Sequence, residues 1–284
     1  MKKLYIILFV VFAVTGLTAF APDGFLLPES FYLHKGDKLD LHLLTGDDFS
    51  KQDEIAYSAS KTLKFNIYDG SKKSDLMAVA KEKAAPILSY DIKNSGLILV
   101  EMNTKDELIE LPREDFAAYL SKQGYDNLAD KLKEDTRLNI TEKFRYYLKT
   151  LVSVDNGGGS IYEKVMGNDF EITLKQNPYK KSYGDDVTAV IYFQGKPLKN
   201  STAWLYVKTA SGNVYPQKVD TDATGQFYFS PSRDGIYMVR CVHIEASKTN
   251  DADFETWVTT FSFAFSNRDA LPNTYREFGF GDKH

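Results

Sequence analysis

The chain has 284 residues, 43% of them hydrophobic and 26% charged, a soluble globular composition with ample core material. A formal net charge of −4 argues against nucleic acid as a partner. The 19 Phe and 18 Tyr favour half-buried pleated strands, so a mainly β fold is expected.

Residues 1–21 read as a secretory signal peptide: Lys2 and Lys3, an apolar run from Leu4 to Phe20, and the small-residue exit Ala19-Phe20-Ala21. Pro22 would follow that cut directly and hinder the peptidase. Cleavage after Ala19 and an uncleaved amino-terminal anchor, which would bring membrane contact, both stay open. No Cys follows the run, which excludes a lipoprotein anchor, and no second apolar stretch approaches the ~20 residues of a membrane span. The protein is therefore expected to be exported, to the periplasm or cell envelope. Cys241 is the single cysteine, so an exported chain must rely on its core and not on disulfides. It reads as a small buried strand residue, because Val239, Arg240 and Val242 supply no His and carboxylate pair to activate a thiol.

From Phe31 to Leu43 two strands flank the turn Lys35-Gly36-Asp37. On the second, Leu39, Leu41 and Leu43 share a face, which sends Asp40 and His42 the other way, to solvent or a site. Further alternating runs follow at 61–68 and 87–101. Pro112, Phe116 and Leu120, then Gly124, Leu128 and Leu132, predict two short amphipathic helices inserted at about 112–134. Residues 141–154 fit both periods, and their aromatic and β-branched content favours a strand. Asn156 to Ser160 is a glycine turn, not a phosphate loop, since no Gly-Lys-Ser/Thr follows.

Beyond residue 169 short strands recur with turns between them, ending in a strand with Phe261, Phe263 and Phe265 on one face. The expected organisation is mainly β with two β-sandwich-like domains. The first spans residues 22–168 with the helical insertion, and the second, 169–266, is immunoglobulin- or transthyretin-like. The tail, 267–284, lacks periodicity and is expected to be extended or partly mobile.

Several segments carry a family resemblance: FLLPESFYLHKGDKLDLHLLTGDDF, ELPREDFAAYLSKQGY, TEKFRYYLKTLVSV, NPYKKSYGDDVTAVIYFQGKPL and the run from TDATGQFYF to FSFAF. Together they resemble the DUF4198 family, exported proteins grouped with periplasmic components of nickel and cobalt uptake. The second half, with its GKPL turn, TD-x-x-G-x-F hairpin and DG-x-Y strand, also resembles the carboxypeptidase-regulatory or transthyretin-like module. Family members begin the mature chain with a His near the new amino terminus. This chain has Pro22-Asp23-Gly24 there, which departs from a terminal metal site.

Nickel, cobalt, copper or zinc would be held by imidazole with carboxylate support. His34 and His42 flank one turn, His243 and Glu245 share a strand face, and Asp251 and Asp253 follow in the next loop. A site would form if the amino-terminal hairpin met the His243 strand; His284 is a weaker ligand candidate. The bland reading is that these histidines are hydrogen-bonded and the aspartates belong to turns. Asp220 to Gly225 is oxygen-rich, yet it lacks the length and closing Glu of a calcium loop and reads as a hairpin turn. Trp204, Tyr206 and Tyr192 fit a core better than a sugar platform. No catalytic motif is present, and Asp47-Asp48 and Asp185-Asp186 read as solvated turns. The expectation is a non-enzymatic envelope protein that binds a metal ion or small ligand for an uptake system, with a membrane transporter component or another envelope protein as partner. The alternative is a structural or interaction module without metal.

Overall fold

The structure, a computed structural model, describes residues 23–281 except positions 52 and 71, so the expected signal peptide and His284 lie outside the described residues. The first half contains β1 (Gly24–Pro28), β2 (Tyr32–Leu33), β3 (Lys38–Thr45), β4 (Asp53–Glu54), β5 (Thr62–Asp69) and β6 (Lys72–Asp75). It continues with β7 (Leu88–Asp91), β8 (Gly96–Thr104), β9 (Glu107–Pro112), α1 (Arg113–Lys122), α2 (Asp126–Lys133) and the long β10 (Asn139–Val154). The second half adds β11 (Phe170–Leu174), β12 (Val187–Phe193), β13 (Lys196–Pro197) and β14 (Thr202–Lys208). It ends with β15 (Val214–Asp220), β16 (Gln226–Phe229), β17 (Gly235–Ala246) and β18 (Phe254–Phe265).

The fold is mainly β, and both expected helices form. The strands make three sheets. A ten-stranded sheet runs β15-β14-β17-β18-β10-β8-β5-β6, with β2 and β9 also joined to β10. A small sheet of β1, β3, β4 and β7 and another of β11, β12, β13 and β16 complete the set. The large sheet takes strands from both sides of residue 168, so the two expected sandwich-like units share one sheet. Its centre is the parallel pair β10 and β18, from Glu142 opposite Phe254 to Thr150 opposite Ser262.

Parallel strands are typically covered on both faces, and β18 is. On one face, the Thr260 and Ser262 hydroxyls donate to the Gly24 and Leu26 carbonyls of β1 at 3.0 and 2.7 Å. Small polar residues there let the first small sheet approach closely and satisfy carbonyls on the free edge of β1. On the other face stand Phe261, Phe263 and Phe265, all buried. Phe263 meets Phe229 of β16 at 6.0 Å between ring centres, and Trp257 meets Phe193 of β12 at 5.2 Å, edge to face. Tyr206 is buried, as the core reading expects. Cys241 is buried on β17, where burial pushes its thiol up to about 12.

Helix α1 places Phe116 against Phe254 at 4.9 Å. Tyr125, just before α2, donates to the Val242 carbonyl at 3.1 Å and accepts from Ile244 N–H at 3.2 Å, which ties the helical pair to β17. The tail differs from expectation. Thr274, Phe278 and Phe280 are fully buried, and Phe280 packs edge to face on Phe25 of β1. Thr274 Oγ1 donates to the Pro28 carbonyl, continuing the row of hydroxyls begun by Thr260 and Ser262. Lack of periodicity reflects a segment that follows the outline of other elements instead of forming one.

Glu142, on β10, is fully buried, and among the described residues neither carboxylate oxygen has a hydrogen-bond partner. Burial pushes it up to about 7. Its folded-state value therefore lies above the ordinary 4.5 of the unfolded chain. Stability should be greatest below that ordinary value and should fall as pH rises towards 7, by up to about 3 kcal/mol. Denaturant unfolding of the wild type and Glu142→Gln at pH 4.5 and 7.5 checks this: the variant should lose most of that slope and gain stability relative to the wild type at the higher pH.

Candidate functional site

The structure does not bring the six residues expected to bind metal together. His34 is exposed, and its Nδ1 lies 3.1 Å from Asp155, just past the end of β10. His243, on β17, pairs in register with Trp257, which pairs with Arg145 of β10. Arg145 and Asp155 are ten residues apart along β10, roughly 33 Å at the rise of an extended strand. The expected amino-terminal hairpin does not form, since β2 pairs in parallel with β10 while β3 joins the small sheet, and the turn between them does not meet the His243 strand through His34.

His243 and Glu245 do sit together, Nε2 to Oε1 at 2.9 Å, with Phe193 against the imidazole at 4.0 Å between ring centres. Hydrogen bonding and the charge of His243 hold Glu245 below the usual carboxylate range against partial burial. Asp251 and Asp253 are close in sequence to this pair but are engaged elsewhere. Asp251 pairs with Lys143 at 3.0 Å; Asp253 pairs with Arg137 and accepts from Thr141 N–H at 2.8 Å. The neighbouring Glu255 pairs with Arg145 at 2.9 Å. These carboxylates are matched by cations at the start of β10 and the segment before it, and they close the β17–β18 turn.

His42 has a different setting. Its ring is buried, with Nδ1 2.6 Å from Glu54 and Nε2 3.2 Å from Glu29. Tyr275 of the tail stacks on it, 3.8 Å between centres and 5° from parallel, and donates to the other Glu54 oxygen. Asn273 donates to Glu29 at 2.9 Å, and Lys51 lies 3.1 Å from the Tyr275 hydroxyl. Partial burial alone would raise Glu54, but hydrogen bonds from Tyr275 and His42 outweigh it and hold the carboxyl below its ordinary range. With a carboxylate oxygen against each ring nitrogen, His42 turns neither nitrogen towards a shared metal position.

Among the described residues, no group of three or more His, Cys, Asp or Glu side chains could hold a metal ion. The donors present do not fit a transition-metal centre, which needs several ligands converging within about 2 Å of one point. The other oxygen-rich stretch is also a turn: Asp222 accepts from the N–H groups of Thr224 at 2.7 Å and Gln226 at 3.1 Å. The sequence pointed to His42 but not to Glu29, Glu54 or Tyr275. The aromatic content of the tail, Tyr275, Phe278 and Phe280, was the available signal that it would pack.

A family model described as a domain of unknown function, DUF4198, matches residues 19–245. The chain belongs to this family. The DUF4198 match includes His34, His42, His243 and Glu245 and ends before Asp251, Asp253, β18 and the tail. No curated protein is similar to the chain at a significant level. Among solved structures, a tetra-tandem repeat in the extending region of a large adhesion protein is 10% identical with a TM-score of 0.21, covering 87% of this chain and 50% of that one. This chain thus spans about half the length of that adhesion repeat. The D0-D1 domain of Intimin is 12% identical with a TM-score of 0.22, covering 85% of this chain and 97% of that one.

The His42 cluster should behave as a clasp for the tail. His42→Ala leaves Glu29 and Glu54 without their shared partner and should cost roughly 3 kcal/mol in denaturant unfolding. Tyr275→Phe keeps the stacked ring, loses the hydroxyl contacts to Glu54 and Lys51 and should cost about 1–2 kcal/mol. In the double variant the two losses should add to less than their sum, because both residues act on Glu54.

Proposed function

We propose that this protein is a non-catalytic, exported β module of the cell envelope, in which His34, His42 and the carboxylates beside them join elements of its own chain. The observation that carries this reading is the pairing of the three described histidines with carboxylates of the same chain: His34 with Asp155, His42 with Glu54 and Glu29, His243 with Glu245. The amino-terminal Lys2, Lys3 and the apolar run after them support export. No helix among the described residues is long and apolar enough to cross a membrane. A role in nickel or cobalt uptake, with a transporter as partner, would require ligands that these pairs leave uncommitted.

Calorimetric titration with nickel, cobalt, copper and zinc tests the reading, using the exported protein and its His34→Ala and His243→Ala variants. The expected outcome is no heat of binding that depends on either residue. Stoichiometric binding abolished by either substitution would return the site to a metal role. Export is checked separately by cell fractionation and mass measurement of the mature amino terminus, with recovery from the periplasm or envelope expected.

A further inference from the structure

Strand β10 changes partner part-way along one edge. Its residues Asn139 to Phe144 pair with β9 and its residues Leu151 to Val154 with β8, and the register shifts by one residue between the two ladders. Between them the Tyr146 N–H is taken by a side chain, Thr104 Oγ1, at 2.9 Å. The facing end of β5 has an irregular register between Thr62 and Lys64. Bulges of this kind spread strands and recur beside binding sites.

A cleft of about 240 Å³ opens at this shift in register, between the first small sheet and the large one. Leu43, Ile55, Met102, Phe144 and Tyr146 form its apolar wall, with the two aromatic rings 5.5 Å apart, edge to face. Gly24 forms part of the floor, where a Cβ would press on the Tyr146 ring at 3.2 Å. The cleft reaches solvent at Ile55, which is 38% exposed, and at the exposed Ala56. Its ionisable residues are Asp53, Lys61 and Glu107, with Lys61 and Glu107 paired at 2.7 Å across the rim. Two carboxylates against one ammonium leave the lining one unit negative.

We propose that this cleft binds a small organic cation, an apolar body about the size of one aromatic ring carrying a single ammonium group. The volume sets the size. An apolar cavity of about 150 Å³ holds benzene, and sites for drug-sized molecules begin at about 300 Å³. The charge sets the sign: an ammonium at the rim displaces Lys61 from Glu107 and lies near Asp53, whereas a carboxylate would meet two like charges. Phe144 and Tyr146 in the lining supply π systems, whose faces attract a cation and not an anion. This site uses none of the paired histidines and stands apart from the reading above.

Calorimetry on the full exported chain with benzylamine, benzyl alcohol and benzoate, alike in size and different in charge, tests the proposal. Benzylamine should bind, benzyl alcohol at least tenfold more weakly, and benzoate not at all. Glu107→Gln should weaken benzylamine roughly tenfold, and Lys61→Gln, which removes the competing ammonium, should strengthen it. Ala56→Trp, at an exposed lining position, should block binding while thermal unfolding stays unchanged. Benzoate binding as tightly as benzylamine, retained binding in Ala56→Trp, or no binding by any of the three compounds overturns the proposal.

Discussion

The parallel contact between β10 and β18 is the constraint on which the rest of this structure depends. It joins a strand from the first half of the chain to the last strand, with Phe144 facing Thr256 and Leu148 facing Thr260 in register. Two strands so placed are covered on both faces, and the alternation of β18 assigns each face a chemistry. Threonine and serine on one side cap the free edge of β1; tryptophan and phenylalanine on the other interlock with β12 and β16. Because the closing strand comes from the far end of the chain, the contacts at its centre are non-local, and such pairings are slow to form.

A second group of interactions fixes how the layers sit against this pair. Lys149 of β10 and Glu171 of β11 are both buried and lie 2.5 Å apart. Burial pulls the Lys149 ammonium down and Glu171 opposes it. Glu171 also accepts from the N–H groups of Met166, Gly167 and Asn168, so the connection entering β11 is wrapped around its carboxylate. The Asn168 side chain then reaches Glu101 of β8 at 2.9 Å, and Lys64 of β5 reaches the same carboxylate at 3.1 Å. Burial would raise Glu101, yet the hydrogen bonds from Asn168, Asn66 and Tyr68 prevail and hold it below its ordinary range. Such a chain of buried charges adds little net stability compared with apolar packing, but breaking one link strands the others. Its effect is to select one arrangement of β5, β8, β10 and β11. On the opposite face, Arg240 joins Asp23 at the start of β1 and donates to Gln123 after α1 at 2.9 Å, which fixes the helical pair.

Much of the strand inventory was legible in the sequence, because period-two alternation and turn residues are local properties. The turn at Gly36 forms with a left-handed glycine at φ +98, but its flanking strands do not make the expected hairpin, because β2 pairs in parallel with β10 while β3 joins the small sheet; the helices fall at Arg113–Lys122 and Asp126–Lys133, and residues 139–154 form a strand as their aromatic content suggests. What the sequence did not disclose is which elements become neighbours. Nothing near Leu41 or Leu43 tells that Tyr275 will cover His42, since the two residues are far apart in the chain and meet only through the folded tail. The candidate site failed for the same reason. His34, His42 and His243 each occur beside carboxylates in sequence, and a shared site requires the amino-terminal segment to meet the His243 strand, whereas the fold sends them to different ends and layers.

The distinction between a staple and a ligand set lies in where the lone pairs go. A metal centre needs nitrogen and oxygen atoms aimed at one shared point, with other groups holding their far sides. At His42 and Asp253 both sides are occupied: His42 reaches a carboxylate from each nitrogen, and Asp253 spends its two oxygens on Arg137 and the Thr141 N–H. The cleft beside Tyr146 has the converse arrangement. There the register of β10 shifts, a backbone N–H turns to a threonine hydroxyl, and apolar side chains line a cleft that opens to solvent. With apolar side chains lining it and an opening to solvent, the edge of β10 is the place where an outside molecule gains most from being bound.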